Sequence, residues 1–194
     1  KCGVMLKAHQ VLEGLAIRDV ISWNALIGGY VQCKQGHEAL NCFERMKSER
    51  LSPNSVTFMS VLKACRGMTD LNEGYMVHMR IIKDGWDSNL YVGTTLLDMY
   101  AECGALADAQ KVFEKLESRS TVSWNTLIAG YVEHGYSKEA FCSFEQMQHD
   151  DFAPDEFTFI TILKACGSIG STNKGEKIHA TIVKEGLLKT NISI

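Results

Sequence analysis

The residues best able to bind a metal or act as nucleophiles are seven cysteines and six histidines. No two cysteines form a Cys-x-x-Cys pair, and the equivalent cysteines Cys65 and Cys166, like Cys2 and Cys103, stand 101 residues apart. A zinc site needs converging ligands, usually with at least one short spacing. We therefore interpret the cysteines as small apolar core residues of a protein from a reducing compartment.

The histidines and the known catalytic motifs do not indicate an enzyme. His78 and His179 are also 101 residues apart and have no acid or cysteine at catalytic spacing, which favours a packing or helix-surface role over a general base. The other four fit a solvated surface: His9, His37, His134 and His149. The zinc-deaminase motifs, Gly-x-Ser-x-Gly and His-Glu-x-x-His are absent. We expect no enzymatic activity, no cofactor and no metal.

Composition excludes several protein classes. The 194 residues are 45% hydrophobic and 22% charged, which is typical of a globular chain and not of a disordered one. No apolar run is long enough to cross a bilayer, so no membrane role is expected. The formal charge of −3 differs from that of a strongly basic nucleic-acid-binding domain. Any binding of nucleic acid must depend on local charge and on stacking.

An internal duplication is the main feature of the sequence. Shifting the chain by 101 residues aligns Ser22-Trp23-Asn24 with Ser123-Trp124-Asn125, and Pro53 with Pro154, and leaves about a third of the overlaid positions identical. A shorter pattern, an aromatic residue or glycine followed by a polar residue and two aliphatic ones, recurs at spacings of 35, 35 and 31 residues. The duplicated block therefore contains three smaller repeats.

Each smaller repeat has the pattern of two helices. Between about residues 22 and 33, apolar side chains recur with a helical period, Gly36 breaks the pattern, and a second helix follows. Pro53 then ends the unit, and Asn54 or Ser55 can cap the next helix. Trp23 and Trp124 lie on the apolar face, so core packing is favoured over an exposed stacking role.

These elements predict an all-α fold. We expect about ten or eleven helices of 11–15 residues, stacked as helix-turn-helix repeats into a right-handed superhelical solenoid. One helix pair cannot bury its own apolar face, and stacking supplies the missing partner. The first helices would line a concave surface. Asn24 and Asn125 follow the tryptophans on these helices, where they are either functional polar groups or helix-start residues.

The chain resembles the pentatricopeptide repeat family, in particular its plant PLS subclass. The most specific residues are Val20 to Ile27 with Leu51-Ser52-Pro53-Asn54, and Leu97 to Gly104. The tetratricopeptide repeat is excluded because its 34-residue period and Trp–Leu-Gly–Tyr pattern are absent. The register gives the end of an S-type motif at 1–19, P-type motifs at 20–54 and 121–155, L-type motifs at 55–89 and 156–190, an S-type motif at 90–120 and the start of another at 191–194.

The resemblance implies binding of single-stranded RNA in a mitochondrion or chloroplast, with one nucleotide per repeat. In this family the fifth and last residues of a motif select the base, whose free edge accepts and donates hydrogen bonds. The implied pairs are Asn24 with Asn54 (a pyrimidine, favouring C), Met59 with Asn89 (little discrimination), Thr94 with Ser120 (a purine), Asn125 with Asp155 (U) and Ile160 with Thr190 (little discrimination). The implied readout is 5′-Y-N-R-U-N.

The family also implies residues that hold the base faces and the backbone. The second residues of neighbouring motifs would sandwich each base, here Ile21, Val56, Tyr91, Val122 and Phe157. Lys63 and Lys164 either contact phosphate or are simply solvated. By analogy with the PLS subclass, the chain would address C-to-U editing. The alternative is a protein-interaction solenoid that docks a helper protein through its L-type motifs. Exposed apolar ends would also allow an end-to-end dimer.

Overall fold

The computed structural model describes residues 2–168 and residue 178, with side chains described from residue 5 onward. This part of the chain folds into ten helices and contains no strand. The bounds of the helices are α1 Cys2–Gly14, α2 Val20–Gln32, α3 Gly36–Ser48, α4 Ser55–Met68, α5 Leu71–Lys83, α6 Leu90–Glu102, α7 Leu106–Lys115, α8 Thr121–Glu133, α9 Ser137–His149 and α10 Glu156–Ser168. The predicted all-α fold of helix-turn-helix repeats is confirmed. The helices are 10–14 residues long, because α7 is shorter than the expected range.

The chain divides into two compact units, of which the first covers Lys1–Glu117. In it the first helices α2, α4 and α6 pack side by side, and α3, α5 and α7 each pack against the first helix of their own pair. The apolar face of each helix is fully buried between these layers, as shown by Trp23, Phe43, Phe58, Leu97 and Tyr100. Stacking therefore buries what a single helix pair would leave exposed.

The second unit covers Ser118–Ile194. Within its described residues α8 packs on α9 and on α10, and α9 packs on α10. Trp124, Ile128, Phe144 and Ile162 fill its core. The predicted core role of both tryptophans is confirmed, since Trp23 is 0% exposed and Trp124 2% exposed.

The sequence duplication is reproduced in local geometry inside each unit. Phe43 and Phe58 meet edge to face at 6.1 Å and 65°, and Phe144 and Phe159 meet at 6.1 Å and 66°. Reciprocal capping boxes begin α2, α4 and α8, in which the side chain of the residue before the helix accepts from the third backbone N–H. The same residue types at the same spacing thus give the same packing twice.

The break between α2 and α3 differs from the expectation. Gly36 does not interrupt the helical pattern, since it is the first residue of α3 and is buried. The break lies at Cys33–Gln35, where Lys34 adopts a left-handed backbone with φ of 58°. A Cβ on Gly36 would lie 3.2 Å from the carbonyl oxygen of Ala64, so this glycine allows close packing of the two helix pairs. No helix among the described residues is long and apolar enough to cross a membrane.

Candidate nucleic-acid interface

The second residue of every first helix from α2 to α10 is a large apolar side chain that faces solvent. These side chains are between 48% and 76% exposed, and they are Ile21, Val56, Tyr91, Val122 and Phe157. Since a helix turns about 100° per residue, the second, fifth and ninth residues lie near one face. The residues predicted to sandwich bases thus occupy equivalent exposed positions, where a soluble protein has no packing reason to place them.

In the first unit, Asn24 and Asn54 form one hydrogen-bonded cluster with Thr57. The Asn24 Nδ2 donates to Oδ1 of Asn54 at 3.1 Å, and the Thr57 hydroxyl donates to Oδ1 of Asn24 at 2.7 Å. Asn24 is the fifth residue of α2, while Asn54 is the N-cap of α4, which packs beside α2. The fifth and last residues of the motif 20–54 therefore meet in space, although 30 residues separate them.

The second unit contains the same cluster with a carboxylate. The Nδ2 of Asn125 donates to Oδ1 and Oδ2 of Asp155, both at 3.0 Å, and the Thr158 hydroxyl donates to Oδ1 of Asn125 at 2.6 Å. Asn125 is only 7% exposed. Burial acts to raise the pKa of Asp155, but hydrogen bonds from Thr158 and Asn125 outweigh it and hold that pKa below its usual value. The cluster thus carries a negative charge at neutral pH.

Helix capping explains why the last residue of a motif lies at this site. Asn54, Asn89 and Ser120 each precede a first helix and accept hydrogen bonds from its backbone N–H groups. Asp155 likewise accepts from the Thr158 N–H at 2.9 Å. A short polar side chain is favoured there for capping alone. The same requirement places a hydrogen-bonding group at each junction between repeats.

The remaining predicted base-reading residues are less polar or are divided between the units. Met59 is half-buried and Ile160 is 49% exposed, and neither side chain can hydrogen-bond a base edge. The Thr94 hydroxyl donates to the Leu90 carbonyl at 2.8 Å in the first unit. Ser120 caps α8 in the second unit. Thr190 lies outside the described residues.

The ninth residues of three first helices provide charge near the exposed apolar residues. Lys63 on α4 and Lys164 on α10 are exposed, each two turns after Val56 and Phe157 respectively. The ninth residue of α6 is Asp98, whose carboxylate accepts from Arg66 Nη1 at 2.8 Å. Basic groups are thus spaced along this face without a large positive surface.

Two expectations about cysteine and histidine need correction. Cys65 and Cys166 are buried as predicted, and burial raises the pKa of Cys65 to about 12, but Cys142 is exposed and is not a core residue. His9 does not belong to a solvated surface, because its Nδ1 lies 3.0 Å from the Tyr30 hydroxyl and its Nε2 contacts Arg45. The described residues contain no cluster of three or more side chains able to hold a metal.

His78 has the predicted packing role. Its Nδ1 lies 2.8 Å from the hydroxyl of Tyr100 on the neighbouring helix α6, and its ring meets that tyrosine edge to face. Burial lowers the pKa of His78 below its usual value, and the nearby charge of Lys115 lowers it further. The residue equivalent to it by sequence, His179, lies outside the described residues.

Sequence reasoning did not identify two features of these surfaces. The first is the pair of threonines, Thr57 and Thr158, whose only sequence signal is their recurrence three residues after Asn54 and Asp155. The second is an apolar stripe on α5, a second helix whose exposed face carries Tyr75, Met76, Met79 and Ile82. The corresponding faces of α3 and α9 carry mainly polar side chains. Their helical spacing could have revealed the stripe.

Family models match most of the chain. The model of the PPR repeat family matches residues 18–66 and 119–168, and a single PPR repeat model matches residues 94–120. Among curated relatives from Arabidopsis thaliana, a putative pentatricopeptide repeat-containing protein is 38% identical over 188 residues, which is 96% of this chain and 27% of that protein. The chloroplastic protein DOT4 is 39% identical, over 90% of this chain and 20% of its own length. A mitochondrial member is also 39% identical, over 96% and 29%.

Solved structures show the same fold. The crystal structure of the pentatricopeptide repeat protein PPR10 in complex with an 18-nt psaJ RNA element aligns with a TM-score of 0.79 and 22% identity, covering 93% of this chain and 27% of PPR10. The nuclear proteinaceous RNase P 2 of A. thaliana aligns with a TM-score of 0.65 and 16% identity, over 85% and 38%. The chain therefore spans less than a third of the curated relatives described above.

Proposed function

Because the chain belongs to the pentatricopeptide repeat family, we propose that it binds single-stranded RNA with one nucleotide per repeat in a mitochondrion or chloroplast. The motif boundaries of the sequence register define the repeats. The observation that carries the proposal is the pairing of an exposed apolar second residue with a hydrogen-bonded cluster at the fifth residue, as in Val122 with Asn125 and Ile21 with Asn24. Relatives named as chloroplastic or mitochondrial support the location.

The chemistry of these side chains suits an unpaired base. Exposed aliphatic and aromatic groups contact the faces of a base in any sequence, whereas an amide supplies a donor and an acceptor to its Watson–Crick edge. That edge is free only in single strands. In this proposal Asn24 with Asn54 reads a pyrimidine, Thr94 with Ser120 a purine, and Asn125 with Asp155 a uracil. Met59 and Ile160 contribute contact without discrimination.

Electrostatics adjusts the affinity more than it drives binding. The net charge of −3 gives little long-range attraction for RNA. Lys63 and Lys164 are exposed on the same face as Val56 and Phe157 and neutralise phosphates locally in this proposal. We expect a short motif array of this kind to bind weakly on its own. Its role is that of an address, with C-to-U editing supplied by another domain or partner.

The proposal is tested by fluorescence anisotropy. The chain is titrated into single-stranded RNA carrying 5′-C-N-G-U-N, into the same RNA with U changed to A, and into the duplex, at low and moderate salt. We expect preference for the single strand, weaker binding to the A variant, and loss of that difference in Asn125→Ala. Steep weakening with salt is expected for phosphate contacts. Equal or absent binding to all three RNAs by a chain with intact circular dichroism would end the proposal.

A second candidate function is favoured by the apolar stripe on α5. This helix belongs to the motif 55–89, and Met76 and Met79 on it are 70% and 65% exposed. In this alternative the L-type motif docks an editing helper protein through apolar contacts. Capture of a partner from organellar extract should survive RNase and high salt, and should be lost in Met76→Glu/Met79→Glu. A matched charge change on the polar face of α3, Asn41→Glu, should leave capture intact.

Self-association is a separate expectation of this proposal. Apolar side chains on α1, among them Leu6 and Val11, are more than 60% exposed. We propose that such surfaces let two copies of the chain associate end to end. Sedimentation velocity across a concentration series measures this directly, and a single monomeric species at every concentration would contradict it.

A further inference from the structure

Two buried hydroxyl groups complete the clusters that contain the base-reading asparagines. Thr57 and Thr158 are each 0% exposed, and each is the third residue of the first helix that follows the asparagine's own repeat. Their hydroxyls donate to the Asn24 and Asn125 Oδ1 atoms at 2.7 and 2.6 Å. The contact occurs once in each unit and links residues 33 positions apart.

We propose that Thr57 and Thr158 are positioning residues that fix the orientation in which Asn24 and Asn125 meet a base. This inference rests on the proposed RNA-binding function. It means that the specificity of one repeat depends on a residue from the next. The fifth and last residues alone then do not determine which base a repeat prefers.

The hydrogen-bond donors and acceptors determine the orientation of Asn125. An ionised Asp155 carboxylate only accepts, so the NH2 group of Asn125 must face it. The Thr158 hydroxyl accepts from the Asp155 backbone N–H and donates its single proton toward Oδ1 of Asn125. Each amide face therefore has its own partner. One N–H and one lone pair of Asn125 remain for a ligand.

The first unit reaches the same arrangement with a neutral partner. Oδ1 of Asn54 accepts from the Thr57 backbone N–H at 3.1 Å, so it is the oxygen that receives the Asn24 Nδ2 proton. The Thr57 hydroxyl then holds the Asn24 oxygen. Because no charged group holds this amide, we expect Asn24 to depend more on its threonine than Asn125 does.

The neighbouring repeat provides an internal comparison. In the motif 55–89 the fifth residue is Met59, which has no amide to orient, and the residue equivalent to Thr57 in the following helix is Val92. Val92 is also 0% exposed, so burial alone does not require a hydroxyl at this position. Within the described residues, the threonine hydroxyl accompanies the asparagine amide.

The experiment measures base preference in Thr57→Val and Thr57→Ser. Anisotropy is recorded with four RNAs that differ only at the nucleotide read by the motif 20–54, and with a second set that varies the nucleotide read by 121–155. Valine removes the hydroxyl at similar volume, and serine retains it. We expect Thr57→Val to reduce the ratio of best to worst base about fivefold at the first nucleotide. The ratio at the second nucleotide, and both ratios in Thr57→Ser, should stay unchanged.

A role confined to helix capping gives a different result. Loss of the cap alone would weaken binding to all four RNAs equally and leave the ratio unchanged, which would overturn the proposal. Thr158→Val and Thr158→Ser repeat the test in the second unit, with a smaller expected loss. Circular dichroism and thermal melting of each variant establish that it is folded.

A measurement without RNA separates this inference from the proposed function. In the NMR spectrum of the free chain, the side-chain NH2 signals of Asn24, assigned with Asn24→Ala, report hydrogen exchange. We expect slower exchange in the unaltered chain and in Thr57→Ser than in Thr57→Val. Equal rates in all three would contradict the positioning role. Failure to bind any RNA would overturn the proposed function while this comparison still decides the positioning.

Discussion

The amide nitrogen of Asn125 lies 3.0 Å from both carboxylate oxygens of Asp155, which follows it by 30 residues. In the first unit the corresponding nitrogen of Asn24 lies 3.1 Å from the amide oxygen of Asn54. The two clusters differ mainly in the charge of the last residue. This difference makes them a matched pair for testing how base preference is set.

Asp155→Asn should make the second cluster resemble the first. Removing the negative charge leaves a neutral acceptor beside Asn125, so we expect the preference at that nucleotide to move from U toward C. Asn54→Asp should produce the opposite change at the nucleotide read by the motif 20–54. Anisotropy with U and C variants at each nucleotide measures both effects. Unchanged preferences in both variants would show that the last residue acts only as a helix cap.

Tyr91→Ala should weaken RNA binding with little effect on folding. The side chain is 71% exposed, so its removal should change the free energy of unfolding by less than about 0.5 kcal/mol. Loss of aromatic contact with a base should reduce affinity by about 1–3 kcal/mol. Tyr136→Ala is the matched control, since Tyr136 is 51% exposed and lies outside the first helices. Equal weakening in both variants would argue against a stacking role for Tyr91.

Folding stability should decrease as the pH falls below about 6.5 because of His78. Its pKa is lower in the folded chain than the ordinary value of 6.5, so the unfolded chain binds the proton more readily. The full stability is present above the unfolded pKa and is lost progressively as the pH falls toward the folded pKa. Thermal melting between pH 7.5 and 5.5 measures this. His78→Gln should flatten the dependence and His37→Gln, at an exposed position, should not.

Lys34→Gly should stabilise the chain. Lys34 adopts φ of 58°, whereas the equivalent position of the second block is Gly135 with φ of 79°. A left-handed backbone disfavours a residue with a Cβ, so relieving it should raise the free energy of unfolding by about 1 kcal/mol. Gly135→Lys should lower it by a similar amount. Urea denaturation measures both, and a destabilised Lys34→Gly would mean that the lysine side chain makes a compensating contact.

Much of the fold could be predicted because helical periodicity reports burial directly. Trp23, Phe58 and Leu97 recur at the spacing that places them on one face, and all three are buried. The same periodicity predicted that Ile21 and Val122 lie on the exposed face, and both are exposed. Expectations about isolated polar residues were less reliable. His9 is held by Tyr30 and Arg45 because helices distant in sequence pack beside it.

The sequence by itself determined the repeat, the helices and the face on which each repeated residue lies. These follow from local spacing, because a helix fixes the directions of its own side chains. Only the tertiary structure decided which side chains meet between repeats, such as Thr158 with Asn125, and which apolar residues remain uncovered, such as Met79. Those contacts depend on how neighbouring helices pack, and hydrogen-bond partners more than 30 residues apart leave no local pattern.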